Sequence, residues 1–110
     1  MGQLPRRVQD EFGGPEHEWS LSAVSVAELA IRHSIGKLGM PEEEIRRALR
    51  ELQVIVIPFE PRHVFAMFSL ALHHRDPFDR MILATAVAEK LPIVTGDRIF
   101  RRYSGVKIIW

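Results

Sequence analysis

Residues 76–97 read DPFDRMILATAVAEKLPIVTGD and contain the features that decide the fold. The middle of this stretch is apolar at helical spacing, and Asp76 and Pro77 provide a typical helix start, so it predicts a helix. The apolar run 92–95 then predicts a short strand, which ends in a turn at Gly96. A helix followed directly by a buried strand is typical of an α/β protein.

The rest of the chain repeats this alternation. Short apolar strands separated by helices predict a mostly parallel sheet with helices on both faces, which is a three-layer α/β/α arrangement. We expect one domain over residues 1–110, since the chain is too short for two. The further predicted strands are 19–24, 54–58 and 106–109, and the further predicted helices are 5–12, 25–35, 61–73, 97–103 and one from Pro41.

Composition excludes several classes of protein. The chain has no cysteine, which excludes a disulfide framework, thiolate catalysis and a cysteine-based zinc site, and suits a cytoplasmic location. It has no apolar run long enough for a bilayer and no signal-peptide core. A formal net charge of +1 gives no strong indication of nucleic-acid binding.

Four acidic residues are expected at one edge of the sheet. Glu28 would lie in the first turn of a helix that begins at Ser25, Asp76 and Asp79 open the apolar helix, and Asp97 follows the 92–95 strand. Ligands of such sheets bind beyond the carboxyl ends of the strands. Each residue also has a structural interpretation, because Ser25 with Glu28 and Asp76 with Asp79 fit capping boxes, and Asp97 could cap the helix after Gly96.

Taken together, these carboxylates predict a metal site. Crowded carboxylates repel one another unless a cation lies between them. An all-oxygen ligand set suits Mg²⁺, or Mn²⁺, better than zinc. Such an ion can polarise a phosphoryl oxygen and activate a water molecule.

The acidic stretches resemble those of the PIN-domain family, and especially the VapC-type toxins of bacterial toxin–antitoxin pairs. The similarity runs from about residue 4 to the C-terminus. The matching stretches are residues 22–32 with 36–38, residues 74–81, residues 91–97 and the ending 103–110.

This resemblance implies a metal-dependent endoribonuclease that hydrolyses phosphodiester bonds and is inhibited by a VapB-type antitoxin. It implies a metal site of Glu28, Asp79 and Asp97, with Asp76 as an auxiliary acid or a helix cap. It also implies that Thr95 hydrogen-bonds to a metal-bound water. Three basic residues would contact RNA phosphates or, as an equal alternative, belong to solvated helix surface; they are Arg32, Lys37 and Arg80.

One part of the family pattern is missing from this sequence. Family members begin with a buried central strand that ends in an aspartate, whereas this sequence begins at the following segment, and Asp10 is a poor substitute. A late start codon, a trimmed chain and a degraded gene would each explain the difference. We therefore expect weak or absent activity, and a homodimer, with or without exchanged elements, that satisfies the exposed strand edges.

Two alternatives to an active nuclease stay open. The chain could be an inactive PIN-like module that captures an antitoxin or a second copy, or it could bind nucleic acid through its arginine clusters. The histidines show no metal-binding spacing, so we expect them in loops or on the surface. The two basic clusters are Arg46, Arg47 and Arg50, and Arg98, Arg101, Arg102 and Lys107; the histidines are His17, His33, His63, His73 and His74.

Overall fold

The computed structural model describes residues 6, 8, 10, 14, 17–37, 40–73, 75–95 and 97–109. Helices and short strands alternate along these residues, which confirms the α/β class. None of the helices in these ranges has the length and apolar character needed to cross a membrane. The elements are β1 (Ser20–Ser22), α1 (Ala23–Ser34), α2 (Glu42–Glu51), β2 (Ile55–Ile57), α3 (Pro61–Ala66), α4 (Pro77–Glu89), β3 (Ile93–Val94) and β4 (Ile108–Ile109), with 3-10 turns at Met67–Ser69 and Arg98–Arg102.

The chain divides into two compact units. The unit Glu18–Glu60 contains β1, α1, α2 and β2, and its two strands pair in parallel with Leu21 opposite Val56. The other unit combines Met1–His17 with Pro61–Trp110, and there β3 pairs in parallel with β4. Both described strand pairs are therefore parallel, as the sequence predicts. The arrangement of the whole chain as a single domain stays a prediction.

Helix α1 begins earlier than the sequence predicts. The hydroxyl of Ser22 accepts a hydrogen bond from the backbone N–H of Val24 at 3.1 Å, so Ser22 is the N-cap and Ser25 lies inside the helix. The preceding strand is correspondingly shorter than the predicted 19–24. The helix is followed by Gly36, whose φ of +74° is accessible to glycine at little cost.

Helix α4 begins where the sequence predicts. One carboxylate oxygen of Asp76 accepts hydrogen bonds from the backbone N–H groups of Phe78 and Asp79, at 2.9 and 3.2 Å. Pro77 occupies the first helical position, where its missing N–H costs nothing. The helix ends at Glu89, and the following C-cap residue, Lys90, adopts a left-handed conformation with φ of 57°.

Helix α4 also forms the core of its unit. Leu83 is completely buried and belongs to a cluster with Phe100 and Tyr103. Within the described part of the chain, the buried hydroxyl of Tyr103 has no hydrogen-bond partner. Further apolar side chains pack against this cluster from both strands and from neighbouring turns; they are Leu70, Ile93, Ile99, Val106 and Ile108.

The segment 61–73 differs from its prediction in length and in orientation. Its α-helix ends at Ala66 and continues only as a short 3-10 turn. The sequence predicts four apolar side chains facing inward, but all four are exposed: Val64 at 42%, Phe65 at 68%, Phe68 at 84% and Leu72 at 69%. His63 is fully buried instead. The prediction of the buried face is wrong because a polar partner on α4, described below, holds the imidazole inside.

Replacing Leu83 by alanine should lower the free energy of unfolding by about 2–5 kcal/mol, because the substitution leaves a cavity in the core. Leu52→Ala is the matched control, since Leu52 is 54% exposed and should change stability by less than about 0.5 kcal/mol. Urea unfolding measured by circular dichroism gives both values. Equal losses in the two variants would contradict the assignment of the core.

Candidate functional site

Two predicted site residues share the first turn of α4. Asp76 uses Oδ1 to cap the helix, and within the described residues its second carboxylate oxygen has no hydrogen-bond partner. Asp79 is the third helical residue and is half-buried. The helix N-terminus carries a partial positive charge that favours ionised carboxylates and bound anions.

Asp97 is held at the carboxyl end of β3 by local hydrogen bonds. Its backbone N–H donates to the hydroxyl of Thr95 at 3.2 Å, and its carboxylate accepts from the N–H of Ile99 at 3.1 Å. The backbone N–H of Thr95 donates to the carbonyl of Ile109 at 3.1 Å, which continues the parallel pairing past β3. The Asp97 side chain is exposed. The predicted contact of Thr95 with a metal-bound water stays a prediction.

Glu28 is not in the first turn of its helix, so the capping-box interpretation is wrong. It is the sixth residue of α1, and its carboxylate accepts a hydrogen bond from the guanidinium of Arg32, one turn later, at 3.1 Å. The Glu28 side chain is 28% exposed and that of Arg32 is 54% exposed. The error follows from the earlier helix start at Ser22. A helix cap therefore no longer explains this carboxylate.

The remaining basic residues of the predicted site have different surroundings. Lys37 is exposed, and its backbone N–H donates to the carbonyl of Arg32 at 2.9 Å. Arg80 is half-buried in the first turns of α4, and its guanidinium donates to the carbonyl of Ala71 at 3.0 Å. The structure therefore gives Arg80 a definite protein partner, unlike a freely solvated side chain.

The carboxylates of the predicted site suit a metal ion that prefers oxygen ligands. In Glu28, Asp76 and Asp97 the described hydrogen bonds engage one carboxylate oxygen, which leaves the other available for a monodentate contact. Asp76, Asp79 and Asp97 belong to the unit that includes Pro61–Trp110, whereas Glu28 belongs to Glu18–Glu60. The convergence of Glu28, Asp79 and Asp97 on a single cation stays a prediction.

A contact between His63 and Glu89 lies outside these motifs, and the sequence did not predict it. His63 on α3 is fully buried, and its Nε2 lies 3.0 Å from Oε1 of Glu89 on α4. Arg62 also donates to the Glu89 carboxylate. The prediction that the histidines lie in loops or on the surface is wrong for His63. Because His63 and Glu89 are 26 residues apart, no local pattern could have indicated their contact.

This pair changes the acidity of Glu89. The hydrogen bond with His63 is the largest cause that lowers the pKa of the Glu89 carboxyl, and the positive charge of Arg62 adds to it. Partial burial acts in the opposite direction but does not prevail. The ionised carboxylate therefore joins the C-terminal end of α4 to α3.

The comparisons with known proteins identify the family. The PIN-domain family model matches residues 4–106, so the chain belongs to the PIN-domain family. Among solved structures, the fold is similar to a chain in the crystal structure of VapBC2 from Rickettsia felis bound to a DNA fragment from their promoter. That match has a TM-score of 0.64 and 18% sequence identity, and covers 86% of this chain and 75% of that chain. No curated protein matches the sequence.

Stability should depend on pH through Glu89. Its pKa in the folded chain lies below the ordinary value of 4.5, so its stabilising effect is complete above 4.5 and is lost as the pH falls through the folded value. Glu89→Gln should therefore lower the melting temperature near neutral pH, and the difference from the wild-type chain should shrink under acidic conditions. Thermal melting at several values between about pH 6 and about pH 3 measures this trend.

Glu18→Gln is the control for that experiment, because it removes an exposed carboxylate that precedes β1. It should leave the melting temperature close to that of the wild-type chain across the series. A Glu89→Gln difference that stays constant over the whole range would contradict the proposed link to the ionised carboxylate.

Proposed function

We propose that this chain is a metal-dependent endoribonuclease and the toxin component of a type II toxin–antitoxin pair. The observation that carries this proposal is the PIN-domain match over residues 4–106, which includes all four acidic positions. The local geometry supports it, because Asp79 and Asp97 lie at a helix start and at a strand end, where α/β folds bind ligands.

In this proposal Glu28, Asp79 and Asp97 hold one Mg²⁺ or Mn²⁺ ion. When bound, the ion would polarise a phosphoryl oxygen of RNA and make a coordinated water more acidic. Asp76 fixes the first turn of α4 through its two backbone hydrogen bonds and thereby places the backbone of Asp79. The N–H groups at the start of α4 would favour a nearby phosphate.

Thr95 and the basic side chains have supporting roles in the same proposal. The Thr95 hydroxyl accepts the Asp97 N–H and keeps its own proton for a further acceptor, such as a metal-bound water. Arg32 would contact RNA phosphate next to the Glu28 carboxylate that it already binds. Lys37, which is exposed and follows α1 in the sequence, would contact phosphate as well. Such contacts contribute affinity without reading base sequence.

We further propose a VapB-type antitoxin as the partner and the cytoplasm as the location. The support is the fold similarity to a chain in the crystal structure of VapBC2 bound to a DNA fragment from their promoter. An inactive module that only captures the antitoxin is the competing function. Stable co-purification with the antitoxin together with absence of RNA cleavage would favour that competitor.

The exposed apolar side chains of α3 and its extension support a homodimer. We call Phe65, Phe68 and Leu72 the aromatic face; the two phenylalanine rings stack with centroids 6.4 Å apart. Given their exposed fractions, these two rings present about 300 Å² of apolar surface. A standard interface buries about 800 Å² on each partner, so the aromatic face would supply its apolar centre. An apolar surface can pair with its own copy across a two-fold axis.

The nuclease activity is tested by incubating a long RNA with the 110-residue chain and Mg²⁺. We expect slow cleavage that EDTA abolishes and that Asp79→Asn or Asp97→Asn lowers more than about 100-fold, because each removes a charged metal ligand. Asp10→Asn is the matched control, since Asp10 is exposed, precedes the acidic stretches in the sequence and has its carboxylate 3.9 Å from the guanidinium of Arg6. Cleavage that survives the Asp79 substitution would indicate a contaminating enzyme and would overturn the assignment.

The dimer is tested by size-exclusion chromatography with light scattering. The wild-type chain should have twice the mass of one chain, and Phe68→Ser should shift it to a monomer at micromolar concentration. Leu52→Ser, which changes an exposed apolar side chain in the other unit, should remain dimeric. A wild-type monomer with a cooperative melting transition would refute the homodimer.

A further inference from the structure

Arg80 has an unusual position for a positively charged residue. It lies four residues after the N-cap Asp76, and its backbone N–H donates to the carbonyl of Asp76 at 3.1 Å. Cations are disfavoured near a helix N-terminus because the aligned peptide dipoles place positive charge there. Its placement therefore needs a compensating interaction, and the structure supplies one in the carbonyl of Ala71.

The bond to Ala71 closes the loop that leads into α4. The guanidinium Nη1 of Arg80 donates to this carbonyl at 3.0 Å across nine residues of sequence. The acceptor lies two residues after the end of the 3-10 turn Met67–Ser69, at the start of the loop. At the other end of the loop, Asp76 caps α4. The same helix turn therefore holds both ends of the connection.

A third contact holds the middle of this loop. The ring of His73 packs edge-on against the ring of Tyr103, with centroids 5.0 Å apart. Tyr103 belongs to the buried cluster around Leu83, so the loop is attached to the core of its unit as well as to α4. Arg75, in contrast, is an exposed residue of the same loop for which the described part of the chain shows no side-chain partner.

From these contacts we infer that Arg80 is a positioning residue, not a phosphate contact. Its guanidinium holds the loop that precedes α4 and so fixes the Asp76 cap and the first turn that carries Asp79. The consequence for metal binding rests on the proposed nuclease function, whereas the effect on the loop does not. The guanidinium donates to a backbone carbonyl, which no loop substitution can remove, so the guanidinium itself must be changed.

The test compares Arg80→Met with Arg75→Met, which removes the same charge from the same region. Amide hydrogen exchange should be about tenfold faster at Phe78 and Asp79 in the Arg80 variant, because these N–H groups donate to the Asp76 cap that the lost guanidinium hydrogen bond no longer holds. Exchange in the Arg75 variant should match the wild-type chain. Titration with Mn²⁺ should show about tenfold weaker binding for Arg80→Met only, since residues that orient metal ligands contribute on that scale.

RNA binding at several salt concentrations separates the two possible roles of Arg80. As a positioning residue, Arg80 should leave the salt dependence unchanged when it is replaced by methionine. Unchanged amide exchange, together with a salt slope reduced by about 0.7, would show a direct phosphate contact and overturn the inference. If the wild-type chain binds no Mn²⁺, the nuclease proposal fails, while faster exchange in Arg80→Met still supports the positioning role.

A second variant keeps the inference testable if Arg80→Met does not fold. Arg80→Lys retains the positive charge but shortens the side chain and removes Nη1. Faster exchange at Phe78 and Asp79 in this variant supports the inference, because the charge alone does not replace the lost hydrogen bond. Wild-type exchange in Arg80→Lys overturns it.

Discussion

The capping of α4 by Asp76 is the interaction on which the rest of its unit depends. Two backbone N–H groups that no helical carbonyl can reach are satisfied by one carboxylate oxygen. This cap fixes where the helix begins and therefore which residues face the core, including the fully buried Leu83. It also sets the position of Asp79 in the first turn. The Asp76 cap therefore influences both the packing of α4 and the position of the candidate site residue Asp79.

Asp97 and Glu28 likewise combine a structural hydrogen bond with a predicted place in the metal site. Asp97 caps a 3-10 turn through one carboxylate oxygen, and Glu28 binds Arg32 through one of its own. A carboxylate held by one oxygen keeps a fixed orientation and still offers its second oxygen to a cation. Structural use of these side chains is therefore compatible with metal binding, so a cap at Asp76 or Asp97 is no argument against a metal site.

The predictions from sequence are confirmed where the decisive hydrogen bonds are local. The predicted start of α4 is correct because the capping carboxylate, the proline and the N–H groups that donate to the cap lie within four residues of one another. The start of α1 was misplaced from Ser22 to Ser25 because both serines are good caps, and the length of β1 decides between them. That length depends on pairing with β2, more than 30 residues later in the chain.

The sequence by itself determined the alternation of helices and strands, the PIN-domain family and the caps at Asp76 and Asp97. The tertiary structure alone decided which face of α3 is buried, and it placed His63 against Glu89. It also gave Arg80 its partner at Ala71. The physical reason is range: a cap or a helical period is set by neighbours in sequence, whereas burial and long-range hydrogen bonds exist only after distant segments have packed together.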